Sequence, residues 1–274
     1  MTEHAVMASI TGYLSAHRSP APEVGERYYP YSLDCGQGRE LPGGRSMRPV
    51  GTAYLYTVKL HRSRSFDELK ARMISSIREV ASLRRDDFIR LRAGAVTTNG
   101  AVTLLPSAYH PQLPALVGLL VRGGLPYVSD EVVHLDPVLR VASGLDLPLL
   151  IDAGDLGLFP GIDREIAAKR RAENDGDLRF AVSADELGGR SGEARPIGRI
   201  VLPRFEPGGP TRLEPVSRSE AIFGLAQAGL NLHVWGDRAL LLAGQIAAEV
   251  PVQRLRVGSL PEAADLLLSS AAVG

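Results

Sequence analysis

Ser107, Tyr109, His110 and Gln112 stand where a phosphate-binding loop would stand, and Asp130 and Glu131 stand where its metal-side acids would. From Gly94 to Asp136 the chain reads as strand, tight turn, strand, loop, helix, strand and then an acidic pair. A loop of that kind aims backbone N–H groups at phosphate oxygens and adds one lysine. It needs glycines, because the backbone must curl tightly with no side chain in the way. No glycine lies between Pro106 and Gly118, and Pro111 and Pro114 each remove an N–H donor. The lysines of the chain are Lys59, Lys70 and Lys169, and none ends a G-x-x-x-x-G-K-[ST] motif. The frame is present and its grip is missing.

Each candidate has a functional and a structural reading. Asp130 and Glu131 offer hard oxygen ligands suited to Mg²⁺, or they are solvent-facing or hydrogen-bonded acids at a strand end. Tyr109 and His110 form a new recognition surface at the loop, or they plug it. Such a crevice is the natural ligand site of an α/β sheet. His110, His134 and His233 have no tight spacing and no cysteine beside them, which sets a zinc-type site aside. Cys35 is a lone cysteine without a placed histidine and reads as structural or incidental. Gly208 and Gly209 in EPGGP read as a plain turn. The charged stretch 163–196 reads as a solvated face, its first part a helix and its end a mobile loop.

The elements that must position these residues follow from pattern. Thr52 to Leu60 is rich in β-branched and aromatic residues and predicts one strand. Ser65 with Glu68 three residues later forms a capping box before a helix with Phe66, Leu69, Met73, Ile77 and Val80 on one face. Phe88 to Ala95 and Ala101 to Leu105 predict two strands joined at Asn99-Gly100. Leu113 to Arg122 is a helix stopped by Gly123-Gly124. Tyr127–Val128 and Val132–Leu135 are short strands around Ser129-Asp130-Glu131. Ile197 to Phe205 is a strand, and Ser217 with Glu220 caps the helix to Leu230. Ala239 to Glu249 is a helix, Val252 to Val257 a strand, and Leu260 to Ser270 a terminal helix with Pro261 at its start. Residues 1–25 read as a loosely held arm.

Composition bounds the partners. The chain has 274 residues, 45% of them hydrophobic and 23% charged, which is ordinary for a globular protein. Its 31 basic and 31 acidic residues cancel. A nucleic-acid or anionic-membrane surface needs a basic excess, so neither partner is expected. One cysteine excludes an internal disulfide and fits a reducing cytoplasm. No signal peptide and no apolar run of membrane-spanning length is read.

The chain resembles the HPr kinase/phosphorylase-related family, especially small bacterial kinases that accompany peptide-modifying gene clusters. The resemblance lies in LRAGAV at 91–96, LLP at 104–106, LVGLLVRGG at 116–124 and YVSDE at 127–131, and continues through 199–231 and 250–271. It implies an α/β fold in which a mixed central sheet is flanked by helices. A small N-terminal α+β element would occupy 1–84 and the kinase-like domain 85–274. The family's loop lysine falls on Leu113, its Ser/Thr pair on Pro114 and Ala115, and its histidine on Arg92. Its acids fall on Asp130 and Glu131, and Arg204 matches a strand-end arginine. The expected function is that of a catalytically impaired kinase homologue, an accessory or binding protein for a peptide or protein partner in bacterial peptide natural-product biosynthesis. No cofactor is expected on that reading. An alternative is an ATP-dependent phosphotransferase, with Mg²⁺ on Asp130 and the lysine's charge supplied by Arg92 or Arg204. A third is a structural subunit of an oligomer, since the family tends to assemble.

Overall fold

The computed structural model describes residues 29–34, 39–41, 45–47, 50–83, 86–108, 110–162, 171–174 and 177–272. The N-terminal arm, Cys35, Tyr109 and the first part of the 163–196 stretch (residues 163–170) lie outside them. The chain divides into two compact units: residues 1–80 with 163–181, and residues 81–162 with 182–274.

In the first unit, β1 (Tyr31–Asp34), β4 (Gly51–Leu55) and β5 (Val58–Ser63) form an antiparallel sheet in the order β1-β4-β5, and β2 (Arg39–Leu41) pairs with β3 (Arg45–Met47). The single strand expected over 52–60 is therefore a hairpin. It turns at Tyr56, whose φ of 54° is a left-handed conformation, and no glycine or Asn-Gly pair marks the turn. Helix α1 (Phe66–Leu83) lays Leu69 and Met73 against Leu33 and Ala53 of the sheet. Its cap differs from the capping box. Ser65 Oγ accepts the Glu68 N–H at 3.4 Å, but the Glu68 carboxylate turns away to the Ser63 hydroxyl at 2.5 Å and to His61 Nε2 at 2.7 Å.

The second unit is built on a mixed sheet with helices on both faces. Its strands are β6 (Ile89–Thr98), β7 (Ala101–Pro106), β8 (Tyr127–Ser129), β9 (Val132–Leu135) and β10 (Val141–Ser143), and β11 (Leu149–Asp152) follows. A hairpin of β12 (Arg171–Asn174) and β13 (Asp177–Val182) belongs largely to the first unit. β14 (Arg195–Phe205), β15 (Arg212–Pro215) and β16 (Val252–Val257) complete the sheet, in the order β10-β9-β6-β7-β14-β16-β15 with β8 also on β6. β7, β14 and β16 run parallel, and the remaining pairs are antiparallel. The Asn99-Gly100 turn joins β6 to β7 with both φ angles positive, at 50° and 78°, as a tight right-twisted hairpin requires.

Alternation along the strands separates two cores. Val96, Leu105, Val201 and Leu255 face one side, where α2 (Leu113–Arg122) packs with a later helix, α6 (Leu260–Ala272). Leu91, Ala93, Leu104 and Ile200 face the other, beneath α3 (Arg218–Ala228), α4 (Leu232–Trp235) and α5 (Asp237–Glu249). This is the period-2 geometry of a sheet buried on both faces. Gly94 lets α2 sit directly on β6: a Cβ there would lie 2.5 Å from Val117 Cγ2. The capping box of α3 is complete, with Ser217 and Glu220 reciprocally bonded.

The end of the charged stretch is not a mobile loop. Ala184 and Leu187 are buried in the first of these cores. Tyr127 N–H donates to Arg190 O at 2.8 Å, and the Ser191 hydroxyl donates to Asp146. Small and apolar residues among the charges anchor it.

Candidate functional site

The loop read as a degenerate phosphate-binding position runs from the carboxyl end of β7 to the first turn of α2. In an open α/β sheet that position, beside a parallel neighbour such as β14, is where ligands bind. The loop is held by its own chain. Ser107 N–H donates to Arg92 O at 3.1 Å, and Arg92 Nη1 donates to Ala108 O at 3.1 Å. Leu113 N–H donates to His110 O at 3.1 Å. Gln112 N–H donates to His110 Nδ1 at 3.3 Å, which leaves that ring nitrogen as an acceptor. The His110 ring lies flat on Phe205, the last residue of β14, with centroids 3.8 Å apart and planes within 10°. Burial pushes the His110 imidazole below its ordinary pKa, so the neutral ring is favoured.

The start of α2 is equally closed. Leu113, where the resemblance places the lysine, is 3% exposed and belongs to the apolar core with Ala115. Pro114 sits in the first turn, and Gln112 at the N-cap makes no side-chain capping bond. The Gln112 side chain instead lies near enough to act on the carboxyl of Asp155, three residues beyond Asp152. Burial and then the Asp152 charge raise the Asp155 carboxyl, and the Gln112 bond partly opposes them. In sequence, residues 138–162 alternate short apolar runs with Gly and Pro, a pattern that does not show Asp155 beside Gln112. Its one sequence sign is the spacing Asp152-x-x-Asp155.

Asp130 is 3% exposed and already committed. Tyr127 Oη donates to Asp130 Oδ1 at 2.9 Å, and Leu150 N–H donates to Asp130 Oδ2 at 2.9 Å. These bonds tie β8 to β11, the job of a hydrogen-bonded structural acid. Glu131 O accepts the Ala93 N–H at 2.9 Å, which sets the acidic pair beside β6 next to Arg92. Among the described residues no group of three or more His, Cys, Asp or Glu side chains is arranged to hold a metal ion. His134 is buried, its Nε2 3.0 Å from Ser82 O.

Arg204 lies one residue before Phe205 and pairs outward with Glu206 at 2.8 Å. Glu206 also meets Arg256 at 3.1 Å, and Arg256 reaches Glu214 at 3.0 Å. The Glu214 carboxyl is held below its usual range by Arg256, then by Arg212. The 206–210 turn packs on the end of β16: Glu206 N–H donates to Val257 O, Gly208 N–H to Gly258 O and Gly209 N–H to Glu206 O. The structure thus gathers Arg92, Ser107, His110 and Gln112 around one loop, places Arg204 at its far rim, and keeps Asp130 inside the core.

What the arrangement can do chemically is limited. It offers no lysine at the loop, no glycine-lined run of N–H groups and no uncommitted carboxylate at Asp130. It does offer a neutral imidazole, His110, stacked on Phe205. No helix among the described residues is long and apolar enough to cross a membrane. No protein-family model matches the chain, and no curated protein matches its sequence.

Proposed function

We propose that this chain is a kinase-like scaffold that has lost phosphoryl transfer, related in fold to HPr kinase, and that it works as an accessory binding protein for a peptide or protein partner. The observation that carries this reading is the loop between β7 and α2. Leu113 faces the apolar core in the lysine's place, and His110 closes over the end of β14 by stacking on Phe205. Asp130 adds support, because its two oxygens are spent on Tyr127 and Leu150. Phosphoryl transfer needs a phosphate cradle and a metal-bearing acid together, and here both are turned to structural use. The resemblance supplies the setting, a bacterial peptide natural-product pathway.

The observation favouring a second reading, an atypical phosphotransferase, is Arg92, whose guanidinium already rests on the loop at Ala108 O. An arginine there would bind phosphate bidentately. The test is incubation with γ-labelled ATP and Mg²⁺ in the presence and absence of candidate peptides. Absence of label transfer and of ATP hydrolysis above buffer supports the accessory role. Turnover that disappears in Arg92→Ala would establish the second reading instead.

A further inference from the structure

A concave site lies beside helices α4 and α5. It is a groove of about 740 Å³ between the 136–140 turn, the start of β6 and helices α4 and α5. That volume falls in the range of small-molecule pockets, about 300–1,000 Å³. Its floor is apolar and fixed. Phe88, Ile89 and Leu242 line it together with Trp235. Phe88 O accepts the Trp235 indole N–H at 3.2 Å and the Asn231 amide N–H at 2.8 Å, while Asn231 Oδ1 accepts the Arg90 N–H at 2.8 Å. The fully buried Asn231 thus clamps α4 onto β6 as a strand edge would.

The rim is apolar and exposed where a folded surface would ordinarily hide such groups. Val138, Leu139 and Leu241 are 84%, 69% and 66% exposed. The turn that presents Val138 and Leu139 is held by its own hydrogen bonds and an ion pair. Asp136 Oδ1 accepts both of their N–H groups at 2.8 Å, and Arg140 is tied to Glu249 at 2.7 Å. The polar part of the lining is two carboxylates, Asp87 and Asp136, one guanidinium, Arg238, and the Gln245 amide. The charge balance at the rim is acidic in a chain whose net charge is zero.

We infer that this groove binds an amphipathic peptide segment that presents leucine-like side chains to the Phe88–Trp235 floor and lysine or arginine to the Asp87–Asp136 rim. Apolar anchors in a preformed groove supply affinity, and opposite charges at the rim set the choice of partner. The inference does not rest on the nucleotide reading, because no residue that lines the groove belongs to the loop between β7 and α2.

Trp235 is the sole tryptophan of the chain, so its emission reports occupancy of the groove directly. The experiment titrates the full chain with a synthetic leucine–lysine peptide of helical pattern and, separately, with its leucine–glutamate counterpart. A saturable blue shift with the first peptide is expected, at least about tenfold weaker with the second. Leu241→Arg should abolish the shift, and the pair Asp87→Asn with Asp136→Asn should weaken it severalfold; the amide oxygen that replaces the Asp136 carboxylate can still cap the turn. Equal response to both peptides, or none to either, overturns the inference. So does a shift that grows with protein concentration alone, which would assign the face to a second copy of the chain.

Discussion

His110 and Phe205 lie face to face with their ring centroids 3.8 Å apart, joining the loop after β7 to the end of the neighbouring parallel strand β14. Burial lowers the pKa of this stacked imidazole, which favours the neutral ring. The unfolded chain then binds the proton more tightly than the folded one. Stability should be fully present above the ordinary value of 6.5 and fall as pH drops below it. His110→Phe keeps the stack and removes the titration. Melting temperatures between pH 8 and about pH 5 should therefore decline less in the variant than in the native chain. Parallel declines would show that His110 is not the group responsible.

The same His110–Phe205 contact separates what was legible in the sequence from what was not. The strands around Asn99-Gly100, the helix after Pro111 and the capped helix at Ser217 follow from local pattern, and the structure has them. Local pattern also located the loop between β7 and α2 and its lack of glycine and lysine, which are facts of sequence. Phe205 as the partner of His110, Leu150 as a donor to Asp130 and Asp155 beside Gln112 were not legible. Each contact crosses between elements whose relative placement only the folded sheet decides. Tyr56 was missed for a different reason: its turn uses a residue with no positive-φ preference. Glu68 was misread because Ser63 and His61, behind the helix start, compete for its carboxylate.

Asp130 should act as a structural acid. Asp130→Ala leaves the Leu150 N–H and the Tyr127 hydroxyl without their acceptor in a buried place, at about 1–3 kcal/mol for each unsatisfied group. Urea unfolding should show that loss equally with and without Mg²⁺. If Mg²⁺ stabilises the native chain and Asp130→Ala removes only that stabilisation, Asp130 is a metal ligand.

Gly94 marks how closely α2 is seated. A Cβ at this position meets Val117 Cγ2 at 2.5 Å and Leu113 Cδ1 at 3.2 Å. Gly94→Ala should therefore cost about 1–3 kcal/mol through overpacking. Adding Val117→Ala should recover part of it in a double-mutant cycle. Additive losses would mean that the helix is not in direct contact with β6.

Glu220 gives a second pH window of opposite chemistry. Hydrogen bonds from the Ser217 backbone, then from Arg254 and the Ser217 hydroxyl, hold its carboxyl at about 2. A depressed acid contributes stability above its ordinary 4.5, and that contribution is lost as pH falls from there toward about 2. Glu220→Gln should flatten the acid limb of the stability curve over this window. An unchanged limb would mean that the α3 cap carries no net linkage.

The central claim concerns the loop between β7 and α2, and calorimetric titration of the full chain with ATP and Mg²⁺ tests it most directly. A circular dichroism spectrum beforehand establishes that the protein is folded. With Leu113 in the core and His110 stacked on Phe205, no detectable heat of binding is the predicted result. Saturable binding in the micromolar range that disappears in Arg92→Ala would contradict it, and would make the chain a nucleotide-binding protein that grips phosphate through arginine.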